Sequence, residues 1–226
     1  NLGLVDGQLS VDVYEGELDI LTLTAIDLDN DPSFPSAGLS WSFVDDPDSD
    51  NDLFALGANG LLRWGTRPDF EAPNQRTSFT VRAQVTDNVF TEEVTITVNL
   101  LDGNDIAPII SPPEALSLSE AQGVYAAGTV LANGNPFTAV NVLGMSRWSI
   151  DISGFDDDDG LLFDIDAETG ELSVHSDLSV DFEAKSSYAI VVRLTTTHPS
   201  GEQTATYAVT INVEDSNDAP VLSSEG

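Results

Sequence analysis

The chain has 226 residues, 41% of them hydrophobic, no cysteine, and a formal net charge of −32 from 39 acidic against 7 basic residues. So acidic a surface repels phosphate and makes nucleic acid and anionic membranes poor partners, while the missing thiols exclude thiolate zinc sites, iron–sulfur clusters, cysteine nucleophiles and disulfides. The length suits two β domains of about 110 residues each, and the apolar content is enough for two packed cores. No apolar run reaches the roughly eighteen residues of a membrane helix. The first residue is Asn1 rather than Met, and the chain is read as a fragment or a mature product.

Along the chain, Glu15 comes first and Asp27-Leu28-Asp29 follows. Trp41-Ser42-Phe43 reads as a strand, and Asp45, Asp46, Asp48, Asp50 and Asp52 make an acidic loop after it. Asn59-Gly60-Leu61-Leu62 marks a turn into another strand, which places Leu62 and Trp64 on one face. Asp69-Phe70-Glu71 is a D-x-E turn. Phe79, Val81, Ala83 and Val85 then alternate with polar residues, and after Asp87 so do Val94, Ile96, Val98 and Leu100. Asp102-Gly103-Asn104-Asp105 leads to Ala107-Pro108, where proline stops the preceding strand.

The same order then returns with a period of roughly 110 residues. Glu120 is followed by Trp148-Ser149-Ile150, an acidic run from Asp156 to Asp159, Thr169-Gly170-Glu171-Leu172, and Asp181-Phe182-Glu183. Two alternating segments follow, Tyr188, Ile190, Val192, Leu194 and Tyr207, Val209, Ile211, Val213, and the copy closes on Asp215-Ser216-Asn217-Asp218-Ala219-Pro220. No segment holds a helical period. The expectation is an all-β chain of two tandem seven-stranded Greek-key β-sandwiches, repeat 1 over residues 1–106 and repeat 2 over 107–226.

Calcium takes about six to eight oxygen ligands, more than a single short loop supplies, so its ligands converge from separate segments. In extended backbone the two carboxylates of D-x-E point to one side, and the asparagine of D-x-N-D adds an amide oxygen. The order Glu, D-x-D, W-S-I/F, T/N-G-x-L, D-x-E, D-x-N-D closed by proline resembles the cadherin repeat over nearly all of both copies. The resemblance implies a cadherin/Ig-like sandwich with Ca²⁺ at the junction between consecutive repeats. It assigns Glu15, Asp69, Glu71, Asp102 and Asp105 to the junction between the two repeats, with Asn104 facing the downstream one. Asp27, Asp29 and Asp87 would complete a junction with a preceding repeat, and Glu120, Asp181, Glu183, Asp215, Asn217 and Asp218 would open one toward a following repeat. In the second copy the D-x-D position falls near Asn133-Gly134-Asn135 and the later Asp near Thr197-His198-Pro199. Carboxylates are missing from both, so fewer ions are expected at the central junction.

The acidic runs read as solvated loops, the three tryptophans as core residues rather than sugar platforms, and His175 and His198 as ordinary surface residues. The clearest carboxylate pairs are taken up by the metal motifs, which leaves no reason to assign an enzyme. The expected function is that of calcium-rigidified repeats in an extracellular, bacterial surface protein, serving adhesion or acting as an extended spacer; a calcium-dependent polysaccharide-binding module is the alternative. Expected partners are neighbouring repeats of the same chain and a cell-surface protein or polysaccharide.

Overall fold

The structure, a computed structural model, describes residues 7–26, 38–73, 76–114, 116–153 and 158–218. The chain divides into two compact units, Asn1–Gly103 and Asn104–Gly226. In the first unit the strands are β1 (Gln8–Tyr14), β2 (Asp19–Thr22), β3 (Ser40–Phe43), β4 (Phe54–Leu56), β5 (Leu61–Trp64), β6 (Ser78–Thr86) and β7 (Thr91–Leu101). They form a four-stranded sheet in the order β1-β7-β6-β3 and a three-stranded sheet in the order β2-β5-β4. The first four strands alternate between the two sheets, and buried residues of both sheets share one core. Phe79, Val81 and Ala83 on β6 and Val94, Ile96, Val98 and Leu100 on β7 are buried, as their alternation requires. Trp64 stacks on Phe54 at 4.6 Å and meets the edge of Phe79 at 5.1 Å, which fills the middle of this core.

The β6–β7 hairpin closes on Asp87, whose Oδ1 accepts the N–H groups of Val89 at 2.7 Å and Phe90 at 2.6 Å. Asn88 takes the left-handed φ of 74° that the turn requires. The repeated T/N-G-x-L motif has a backbone cause. Gly60 has φ +86°, and a Cβ there would lie 2.2 Å from the Leu23 carbonyl oxygen; at Gly170, with φ +75°, it would lie 2.9 Å from that of Phe137.

The second unit contains β8 (Ile109–Ser111), β9 (Ser117–Ser119), β10 (Val124–Tyr125), β11 (Thr138–Val140), β12 (Met145–Ile150), β13 (Phe163–Ile165), β14 (Leu172–Val174), β15 (Leu178–Ser179), β16 (Ser187–His198) and β17 (Gly201–Glu214). Its main sheet runs β12-β16-β17-β9, and three two-stranded ladders, β10-β15, β11-β8 and β13-β14, complete the unit. Among the described residues these are ten strands where seven were expected, several of them only two or three residues long. The opening strand is one cause: Pro112 and Pro113, which have no N–H to give a ladder, separate β8 from β9. Leu118, Val174, Val192, Leu194 and Ile211 lie at the bottom of this core, and Phe163 meets Tyr188 edge-on at 5.7 Å. Residues 104–106, assigned above to the first repeat, go with the second unit because Asn104 is built into its β16–β17 hairpin.

The acidic runs do more than face solvent. Asp50 accepts the N–H of Thr80 at 2.8 Å and pairs with Arg76 at 2.6 Å, and Arg76 lies over the ring of Phe79. Asp159 accepts the N–H of Ala189 at 2.9 Å and pairs with Lys185 at 2.6 Å, and Lys185 lies over the ring of Tyr188. Each unit therefore fastens the segment before a short strand, β4 in the first and β13 in the second, to the start of a long central strand through one carboxylate.

Candidate functional site

Glu15 follows directly on β1, and its N–H donates to the Leu101 carbonyl at 3.0 Å, which fixes it beside the end of β7. The residue is only 6% exposed. Oε2 accepts the N–H of Phe70 at 2.6 Å and Oε1 that of Gly103 at 2.8 Å, so main-chain donors replace the water that burial removed. Glycine keeps this approach uncrowded, since a Cβ at Gly103 would stand 3.0 Å from Glu15 Cγ. One buried side chain thus ties the D-x-E turn to the D-x-N-D segment.

Around it, carboxylate oxygens of Glu15, Glu71 and Asp102 lie within 4.8 Å of one another. Asp69 is outside this group: its Oδ1 accepts the N–H of Glu71 at 3.1 Å and so shapes the turn that presents Glu71. Two oxygens on opposite sides of one calcium ion stand about 4.6–5.2 Å apart, given Ca–O distances of about 2.3–2.6 Å. An all-oxygen set at this spacing fits a hard divalent cation.

The second unit repeats the arrangement. Glu120 follows β9, and its Oε1 and Oε2 accept the N–H groups of Phe182 at 2.9 Å and Ser216 at 3.1 Å, the counterparts of Phe70 and Gly103. These two donors, Phe182 first, hold its carboxyl below the usual range. Glu120, Asp181 and Glu183 form the matching group within 4.8 Å. Glu183 is affected in the opposite sense. Its own N–H pulls its pKa down, but burial and the negative charges of Glu120, Asp218 and Asp215 outweigh that and push it up. Three acids, Glu120, Asp218 and Asp215, therefore act on the charge of Glu183.

The remaining candidates take other places. Asp87 caps its own hairpin, and the N–H groups of Phe90 and then Val89 hold its carboxyl below the usual value. Asp27 and Asp29 lie outside the described residues. Asp105 is exposed, and its carbonyl accepts from Gln203 Nε2 at 3.3 Å. Asn217 donates to the Asp218 carbonyl at 3.3 Å. Asn104 is 5% exposed; its amide donates to the Thr196 carbonyl and hydroxyl, both at 3.2 Å, and to the Gly201 carbonyl at 3.0 Å. Counting from the D-x-E motif put the missing aspartate near Thr197-His198-Pro199; the strand register puts it at Thr196. Trp41 faces Val85 and Trp148 faces Leu194, and two residues beyond each partner stand Asp87 and Thr196.

Trp64 and Trp148 are buried and Trp41 packs on the first core, so these rings give no support to a sugar platform. His175 pairs with Asp164 at 2.9 Å and His198 with Ser200 at 2.8 Å. Sequence reasoning missed the Asp50–Arg76 and Asp159–Lys185 pairs, whose signal is the recurrence of a basic residue three positions before the aromatic at Phe79 and Tyr188.

Solved structures share this architecture. Human protocadherin-24 EC1-2 superposes with a TM-score of 0.58 at 23% identity, covering 92% of this chain and 94% of that one. Mouse cadherin-23 EC22-24 does so with a TM-score of 0.55 at 22% identity over 94% of this chain, which spans 65% of that structure. The chain has the cadherin-repeat fold. A cis-dimer structure of protocadherin gammaB7 EC3-6 is similar as well, at 20% identity and a TM-score of 0.54, and the chain spans 47% of it. No family model matches the sequence, and no curated protein does. Among the described residues of these cadherin-like repeats, no helix is long and apolar enough to cross a membrane.

Proposed function

We propose that the two cadherin-like repeats are non-catalytic, calcium-binding modules of an extracellular surface protein, bacterial by its acidic, cysteine-free composition, and that they serve adhesion as a stiffened spacer. The observation that carries this reading is the duplicated geometry. In each unit a glutamate held by two main-chain N–H groups gathers further carboxylates to within 4.8 Å. Calcium would neutralise carboxylates that otherwise repel and would tie the D-x-E turn to the segment by which the chain leaves the repeat. In the first unit Glu15, Glu71 and Asp102 would hold it; in the second, Glu120, Asp181 and Glu183, with Asp215 and Asp218 adding negative field. One ion at a hundredfold excess over its Kd adds about 2.7 kcal/mol to the folded form.

Calorimetric titration with calcium, repeated on Glu71→Gln/Asp102→Asn and on Asp181→Asn/Glu183→Gln, tests the reading. Each double variant is expected to remove its own share of the binding heat, and chelator is expected to lower the melting temperature of the parent chain. An unchanged isotherm in both variants, or a melting temperature indifferent to chelator, overturns it.

A further inference from the structure

The two units differ at one edge of the main sheet. In the first, β1 runs parallel to β7 and covers it from Thr95 to Leu101. In the second, β9 covers β17 only from Asn212 to Glu214. Among the described residues, no strand pairs with β17 on that side from Thr204 to Thr210. Asn212 donates its N–H toward this side, to the Leu116 carbonyl at 3.2 Å. Alternation along the strand turns the N–H and C=O groups of Thr210, Ala208, Thr206 and Thr204 to the same side.

Exposed edges are commonly blunted by lysine, proline or a bulge. The Thr204–Thr210 stretch contains neither residue, and its register with β16 is continuous. Beside it runs a groove of about 580 Å³, whose lining combines Pro112, Pro113, Leu116 and Tyr207 with the polar Asn212 and Glu214. Tyr207 belongs to the inward row with Val209 and Ile211, which are 6% and 0% exposed, yet it is 38% exposed. The groove therefore offers an unfilled seat, part apolar and part polar, along a strand edge that no strand pairs among the described residues.

We infer that the β17 edge takes up an extended peptide from another protein as an added strand, one that alternates apolar residues toward Tyr207 and the prolines with basic residues on the other face. Charge decides the occupant. At −32, a second copy of this chain is repelled, whereas a basic segment is attracted to the edge and to Glu214. Main-chain hydrogen bonds would give the affinity, and the alternation of side chains the selectivity.

The probe is a synthetic nine-residue peptide of alternating lysine and valine, added to the full chain in 150 mM salt so that diffuse attraction is screened. Binding is read by anisotropy and by amide hydrogen exchange. Slowed exchange at Thr204, Thr206, Ala208 and Thr210 is expected. Thr206→Pro, which removes a donor on the open side only, is expected to weaken binding about tenfold, as the loss of one or two hydrogen bonds would. A peptide N-methylated at alternate amides leaves the protein unaltered and is expected not to bind. The inference is overturned if the N-methylated peptide, or one with glutamate for lysine, binds as tightly, if exchange at these amides does not change, or if the chain instead dimerises through them.

Discussion

Asp50 and Asp159 make the same two contacts in their separate units, each accepting a strand N–H on Oδ2 and a basic side chain on Oδ1. They differ in burial: the Asp159 side chain is 6% exposed and that of Asp50 is 19%. Removing either leaves an N–H without its acceptor, and at Asp159 that N–H lies where water reaches less. Asp159→Ala is expected to cost about 2–3 kcal/mol and Asp50→Ala about 1 kcal/mol, since the basic partners are well exposed and their ion pairs are screened. Urea titration of the two variants checks the order; equal losses would show that burial does not set the difference.

The Asp50 clasp and two other carboxylates, Asp46 and Asp166, contribute to the acid limit of the fold. Burial works to raise the Asp50 carboxyl, but Arg76 and the N–H of Thr80 outweigh it and hold it low. The Arg82 hydrogen bond, first, lowers Asp46, and the Thr169 N–H, first, lowers Asp166. A group lowered in the folded state adds stability that is complete above its unfolded value and is lost as pH falls through the folded one. The melting temperature is expected to hold down to about pH 5 and to fall steadily below about pH 4. Asp50→Asn is expected to start from a lower plateau with a shallower acid decline. An acid decline as steep as the parent's would remove Asp50 from the account.

The sequence made the sheets readable because alternation is a local signal: Val94, Ile96, Val98 and Leu100 all reach the core that period two assigns them. Tyr207 breaks the pattern because what covers a strand position depends on the opposite sheet and on the edge beside it. The D-x-E and D-x-N-D motifs were readable for a similar reason, each being short and repeated. Their division of labour was not. Asp69 and Asp181 hold equal places in the sequence, yet only Asp181 joins the converging oxygens. The clasps stayed hidden because Asp50 and Asp159 meet bases that lie several strands further along the chain, at a separation that no hydrophobic period marks. Thr196 was misplaced because counting from a turn carries loop-length differences that strand register does not.

Gly60 and Gly16 both have φ near +85°, at +86° and +85°, but only Gly60 is crowded. Alanine at Gly16 meets nothing within 4 Å and is expected to cost about 1 kcal/mol, the strain of the left-handed conformation. Alanine at Gly60 must also displace the Leu23 carbonyl, which lies 2.2 Å from the new Cβ, and is expected to cost about 3 kcal/mol or more. Thermal melts of the two variants decide it: similar losses would mean that conformation alone explains the glycine.

Asn104 supplies the second unit with a neutral anchor. Its amide hydrogens satisfy the Thr196 and Gly201 carbonyls, and Thr196 is fully buried. Asn104→Ala removes these side-chain bonds from a buried site and is expected to cost about 1–3 kcal/mol. No carboxylate takes part in these bonds, so the loss is expected to be the same in calcium and in chelator. A loss seen only with calcium present would instead make Asn104 part of an ion site.

Glu15 and Glu71 contribute oxygens to one group yet stand in different surroundings, which separates folding from ion binding. Glu15 is buried and accepts two main-chain N–H groups; Glu71 is exposed. In Glu15→Gln the amide turns its NH₂ toward a donor, since only one of its two ends can accept. The mismatch is expected to destabilise the unit by about 1–3 kcal/mol even in chelator. Glu71→Gln keeps the fold and removes one charge, so it is expected to leave the chelated melting temperature within about 3 °C of the parent, in line with surface substitutions of less than about 0.5 kcal/mol. With calcium present, it is expected to lower the gain in melting temperature. Paired melts of both variants, with and without calcium, separate the roles. If Glu71→Gln gains as much from calcium as the parent does, the converging oxygens of the first unit are not its site.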